Sequence, residues 1–186
     1  MSRVLTIPNV ISLTRLALVP VFLWLLVGRD DVAAAGWLLG VIGSTDWVDG
    51  YLARRLDQVT KVGELLDPVA DRLAVVAAVI GGLVAEVLPT WFVVAIIVRE
   101  AAVAIGALVI GIGARSKLTV RRAGKLATLL LYAAIAWLYL GVGYDLSWLR
   151  AVAWAVAIPG LGLYYMVAAQ YVGDARRLMA DGTGRV

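Results

Sequence analysis

Apolar residues run in long blocks along this chain, and the polar positions between them gather into short clusters. Six blocks are long enough, or nearly so, to read as helices in lipid, where a span takes about 20 residues. A short amphipathic helix, Ile7–Arg15, is expected to lead into the first span, Leu16–Val27. That span is short and contains Pro20, so it borrows from Val10–Leu13 while Arg15 snorkels towards the interface. A turn at Gly28–Asp31 precedes the second helix, Val32–Leu56, and a break follows at Asp57–Val62. The third helix is expected over Glu64–Leu88, with Pro68 tolerated in its opening turn. The fourth follows Pro89 and Thr90 and reaches Ile112. A basic loop, Gly113–Arg122, separates it from the fifth, Ala123–Val142. Tyr144–Ser147 turns the chain into the sixth, Trp148–Val172, and a polar tail, Gly173–Val186, frays. The expected fold class is therefore all-α: an integral membrane protein of six transmembrane helices and a short N-terminal amphipathic helix. One domain is expected over residues 1–186.

Composition agrees with that pattern. Hydrophobic residues make up 62% of the chain and mean hydropathy is +0.91, too apolar for an ordinary soluble domain. Cysteine and histidine are both absent, which excludes disulfides, Cys/His zinc sites and any histidine-activated nucleophile. The net charge of +4 would suit nucleic acid or anionic lipid. Its distribution favours lipid and no nucleic acid. On the expected spans, only Arg29 and Arg150 of the 17 basic residues fall on one side. This asymmetry places both termini in the cytoplasm, in a multi-pass plasma-membrane protein. A cleaved signal peptide is not expected, because Pro8 and Arg15 interrupt the N-terminal apolar core. There is no Walker loop and no dinucleotide fingerprint. The small residues of Ala33–Gly43 and Ala101–Gly113 read as helix-packing faces, and the seven tryptophans mostly as interfacial belt or packing.

The candidate chemistry lies between the second and third helices. Asp46 and Asp49 are i and i+3, with Gly50 and Ala53 beside them on one helical face; Gly63, Asp67 and Asp71 step by i+4. Two helical stretches thus each present a pair of carboxylates on either side of a break. Four such carboxylates repel one another without a cation. Oxygen-only ligands suit Mg²⁺ or Mn²⁺. Carboxylates inside membrane helices also occur in cation and proton transporters, so a carboxylate-lined transporter is the rival reading.

The residues Asp46, Asp49, Gly50, Ala53, Arg54, Gly63, Asp67 and Asp71 fill every fixed position of D-x2-D-G-x2-A-R-x8-G-x3-D-x3-D. The pattern resembles the signature of the CDP-alcohol phosphatidyltransferases, integral membrane enzymes with six transmembrane helices. The resemblance implies two divalent ions, Mg²⁺ or Mn²⁺, held by Asp46, Asp49 and Asp67. Asp71 is implied as the base that takes the acceptor hydroxyl's proton and as a further metal contact. Two ions about 4 Å apart clamp a pyrophosphate and stabilise entering and leaving oxygens. Gly50, Ala53 and Gly63 are implied to form the floor under the cytidine moiety of CDP-diacylglycerol, and Arg54 to hold phosphate or orient an aspartate. The family is often dimeric, so a homodimer is compatible.

The run Leu5–Arg15 resembles the branch that holds phosphatidylglycerophosphate synthases and the actinobacterial type of cardiolipin synthase. Both act on CDP-diacylglycerol and an anionic alcohol. The glycerophosphate branch often carries two further cations, where this chain has Ala107 and Ala127. A phosphodiester acceptor needs fewer cations than a phosphate monoester, which tilts the expectation towards phosphatidylglycerol over glycerol 3-phosphate. Arg121, Lys125, Arg99 and Arg115 are the expected acceptor-binding cations. For Arg99, next to Glu100, a buried ion pair competes with that role.

Overall fold

The computed structural model describes the backbone at residues 7–56, 61–110 and 122–182, and side chains at 9–45, 69–104, 124 and 126–170. Among the described residues the fold is entirely helical. The elements are α1 (Ile7–Leu23), a π-helical turn (Trp24–Gly28), α2 (Val32–Leu56), α3 (Lys61–Val84), α4 (Thr90–Ile110), α5 (Arg122–Gly143) and α6 (Ser147–Gly182). Among the described residues, three stretches are long and apolar enough to cross a membrane: Asn9–Gly28, Leu126–Gly143 and Ser147–Gln170. Val32–Thr45 is apolar but shorter than those three.

The helices close into a ring. α1 packs between α3 and α2, α2 passes on to α5, α5 to α6, α6 to α4, and α4 returns to α3. Phe22, Leu39, Val79, Phe92 and Tyr139 fill the middle. Tyr139, fully buried, donates its phenol to the Ala78 carbonyl at 2.6 Å and so ties α5 to α3. Along the α2–α5 seam glycine is required by distance. A Cβ on Gly143 would lie 2.5 Å from the Ala33 nitrogen, and one on Gly36 would lie 2.9 Å from the Tyr139 Cβ. Lipid gives apolar helices little reason to associate, so such close backbone approach carries the packing. Outside the ring, Val21, Val41, Ile80, Val94 and Ile158 are exposed, a surface suited to lipid.

Three short turns join the helices at one end of the ring, and each contains an acidic residue at positive φ: Asp30, Glu86 and Asp145. The last two close Schellman motifs. Glu86 N–H bonds the Leu83 carbonyl and Val87 N–H the Gly82 carbonyl; Asp145 and Leu146 do the same to Val142 and Gly141. Asp31 caps α2 through its carboxylate on the Ala34 N–H at 2.9 Å. Trp24, Trp37, Trp91 and Trp148 are exposed around this end, and Trp37 donates its indole N–H to the Tyr144 hydroxyl at 3.1 Å. Aromatic residues gathered at one level form the belt expected at a membrane interface.

Several expectations are corrected. The amphipathic lead is not a separate helix: α1 runs unbroken from Ile7 through Arg15 and Pro20 to Leu23. Nor does Arg15 snorkel: it is 2% exposed and turned into the bundle. The third helix stops at Val84 rather than Leu88, because the Schellman turn at Glu86 ends it. The tail expected to fray past Val172 continues α6 to Gly182, through a stretch rich in Ala, Arg, Leu and Met, which favour helix. The expected loop Gly113–Arg122 lies outside the described residues except for Arg122, which opens α5.

Candidate active site

The eight-position motif sits where α2 ends and α3 begins, opposite the three tight turns. Asp46, Asp49, Gly50, Ala53 and Arg54 occupy the last three turns of α2; Gly63, Asp67 and Asp71 occupy the first three of α3. Both segments are helical, so the i, i+3 and i, i+4 spacings hold as one stripe on each helix. Apart from Asp71, the side chains of these residues lie outside the described set.

Asp71 forms an ion pair with Arg15 of α1. The pair is lopsided: the Arg15 side chain is 1% exposed and that of Asp71 is 42% exposed. Asn9 and Ser12, at 2% and 0% exposure, precede Arg15 on the same inward stripe of α1. Beyond Arg15 the stripe becomes apolar, with Phe22 and Leu26.

A second polar cluster lies beside the first. Arg72 is rotated about 100° from Asp71 around α3. It pairs with Glu100 of α4. Glu100 also holds Arg99 at 2.8 Å and accepts the Tyr164 hydroxyl from α6. The Arg99 guanidinium carbon lies 3.5 Å from the centroid of the Tyr164 ring, a cation–π contact. α3 thus turns one charge towards α1 and its neighbour towards α4 and α6.

The acceptor-binding candidates are spread across what is described. Arg99 is 8% exposed and engaged with Glu100 and Tyr164. Lys125 is on the first turn of α5, with its side chain outside the described set, and Arg115 and Arg121 lie outside it altogether. Two features escaped sequence reasoning. Arg15 was expected at an interface, although the Asn9, Ser12, Arg15 spacing of three in an apolar helix already marks one polar face. Glu100 as a shared acceptor left no sequence signal, because Arg72 and Tyr164 are 28 or more positions away.

Whether divalent ions suit this end is a question of donor chemistry. With no histidine or cysteine in the chain, carboxylates are the strong donors, and four of them lie on consecutive turns of two successive helices. That set fits hard cations such as Mg²⁺ or Mn²⁺. Among the described residues no three acidic side chains come together, and only Asp71 of the four belongs to them.

Apolar helices ringed around a tyrosine-bonded core, with aspartates gathered at one end, define a helical membrane protein with a polar site at that end. The family model described as CDP-alcohol phosphatidyltransferase matches residues 5–162, and the chain belongs to that family. It is 38% identical over 184 residues to the cardiolipin synthase (CMP-forming) of Streptomyces coelicolor, covering 95% of this chain and 86% of that protein. It is 36% identical over 169 residues to a putative cardiolipin synthase of Mycobacterium tuberculosis, covering 88% and 79%. The CDP-diacylglycerol–glycerol-3-phosphate 3-phosphatidyltransferase of Escherichia coli is 34% identical over 190 residues, covering 94% and 97%.

Proposed function

We propose that this protein transfers a phosphatidyl group from CDP-diacylglycerol to phosphatidylglycerol, forming cardiolipin and CMP. The motif supports the donor half of the reaction. Asp46, Asp49 and Asp67 would hold two divalent ions, with Asp71 at their edge. Bound there, such ions would supply positive charge to neutralise the pyrophosphate as the transfer proceeds. Gly50, Ala53 and Gly63 leave room for the cytidine moiety, and Arg54 holds a phosphate oxygen. Asp71 takes the proton from the acceptor hydroxyl as that oxygen attacks the lipid-side phosphorus. The phosphorus–oxygen bond to CMP breaks in the same step, so no covalent enzyme intermediate forms. Six membrane spans with the motif on the cytoplasmic side complete the reading; the basic residues support that orientation.

One observation carries the choice of acceptor. Ala127, which stands where the glycerophosphate branch often has a lysine, is fully buried in the core cluster. A methyl group in the core, in place of that lysine, brings no positive charge to meet a phosphate dianion. A phosphodiester head group requires less positive charge. The two relatives named for cardiolipin synthesis point the same way.

The test is product analysis with purified protein, CDP-diacylglycerol and Mg²⁺, offering phosphatidylglycerol and glycerol 3-phosphate separately. Cardiolipin and CMP from the first acceptor support the proposal. Phosphatidylglycerophosphate from the second, with no cardiolipin, moves the protein to the other branch. Ion flux across liposomes with no lipid product favours the transporter reading.

A further inference from the structure

We propose that Arg15 is a positioning residue for phosphoryl transfer. It grips the Asp71 carboxylate from inside the bundle and fixes the direction in which that carboxylate addresses the reacting hydroxyl. The inference rests on the reading of Asp71 as the base.

Burial separates this pair from an ordinary surface ion pair. Arg15 has surrendered nearly all contact with solvent, whereas Asp71 remains two-fifths exposed. Taking a guanidinium out of water is costly even after relaxation. Joining α1 to α3 does not require it. Farther along the same seam the join is apolar: Phe22 of α1 and Leu26 of the π-helical turn close on Gly81 of α3, where a Cβ would lie 2.8 Å from the Leu26 Cδ2. Among the described residues, the charged contact of this seam falls at a motif carboxylate.

Register extends the point. Arg15 opposite Asp71 and Leu26 opposite Gly81 give nearly the same offset, so α1 and α3 run parallel in constant register. In that register Ser12 is level with the backbone of Asp67 and Pro68, and Asn9 with that of Glu64 and Leu65. The buried polar stripe of α1 therefore covers the same turns as the motif on α3 and gives way to Phe22 and Leu26 beyond it. A stripe serving only to pack helices would have no reason to change character there. The chemistry of the side chain also matters. The contact joins Arg15 Nη1 to Asp71 Oδ1, and a planar guanidinium presents its donors in fixed directions, whereas an ammonium is a point charge on a flexible stem.

The experiment uses the full-length protein purified with lipid, CDP-diacylglycerol and Mg²⁺, and compares Arg15→Lys, Arg15→Gln, Asp71→Asn and the Arg15→Gln/Asp71→Asn pair. Arg15→Lys keeps the charge and is expected to remain folded. Its kcat should fall on the order of 100-fold, as a misaligned reacting group does, with CDP-diacylglycerol KM within about threefold of the parent. The readout that does not depend on turnover is thermal unfolding. Arg15→Gln should lower the midpoint in the parent, and most of that loss should vanish in the Asp71→Asn background, since the two side chains act as one unit. Parent-like kcat in Arg15→Lys, with Asp71→Asn inactive, overturns the positioning role and leaves the base assignment standing. So does failure of Arg15→Lys to fold, or additive unfolding shifts, each of which makes Arg15 structural only. Normal turnover by Asp71→Asn overturns the base assignment and the positioning role together.

Discussion

Glu100→Gln keeps the size of the side chain while withdrawing its charge from two guanidinium groups and a phenol on three helices. The three arms are unequal. Arg72 is 47% exposed, and an ion pair that open contributes at most about 1 kcal/mol. Arg99 is 9% exposed in its side chain, and removing the partner of a buried charge costs roughly 3–5 kcal/mol. The Tyr164 hydroxyl bonds a charged acceptor, an interaction of about 1.5–3 kcal/mol. All three share one carboxylate, so their losses do not add, and the Arg99 arm sets the expected cost of Glu100→Gln. Tyr164→Phe should fall next, and Arg72→Gln should cost least. The assay is unfolding of purified protein by SDS titration in mixed micelles, followed by tryptophan fluorescence. Trp154 on α6 stacks on Trp91 of α4 at 5.6 Å and reports the α4–α6 contact. An Arg72→Gln cost equal to that of Glu100→Gln would refute the reasoning, because the exposed arm would then dominate. A Glu100→Gln cost within about 0.5 kcal/mol of zero, the range of an unremarkable surface change, would refute it outright.

Asp71→Asn is expected to abolish turnover while leaving CDP-diacylglycerol binding largely intact, measured by product formation beside equilibrium lipid binding; near-normal product would remove the base from the mechanism. Excess EDTA should stop product formation and added Mg²⁺ or Mn²⁺ should restore it, whereas full turnover in EDTA would end the two-ion reading. Arg121→Gln and Lys125→Gln should each raise the acceptor KM by about 10- to 150-fold and leave the CDP-diacylglycerol KM nearly unchanged, as expected for loss of a charged hydrogen bond. Unchanged acceptor KM in both folded variants would move the acceptor pocket elsewhere.

The helical class and the position of the motif were legible because both depend on local pattern. Apolar blocks between Val32 and Val142 set the helices, and the i+3 and i+4 spacings of four aspartates held once their segments proved helical. What the chain hid depends on three dimensions. The end of α3 is set by a left-handed residue that is Glu86 here, where glycine is the usual signal, so the apolar pattern through Leu88 overran it. Arg15 looked interfacial because an isolated arginine near a helix start ordinarily is. A parallel α3 in register, 56 residues later, provides a carboxylate partner inside the bundle. The fate of Arg99 was likewise undecidable from its neighbour Glu100 alone, since Tyr164 comes from the last helix. Pro159, which would commonly interrupt a helix, sits within α6 without ending it.

The ring order has a consequence for biosynthesis. α1 touches α2, its neighbour in the chain, but its other neighbour in the ring is α3, and α4 meets α6 only after α5 has been made. Arg15 is therefore synthesised, and α1 threaded into place, 56 residues before the carboxylate that neutralises it exists. Until then its long aliphatic stem is able to carry the charge out towards the head groups. The ion pair with Asp71 can form only once α3 has been made, so this contact is a late event in assembly even though Arg15 is among the first residues made.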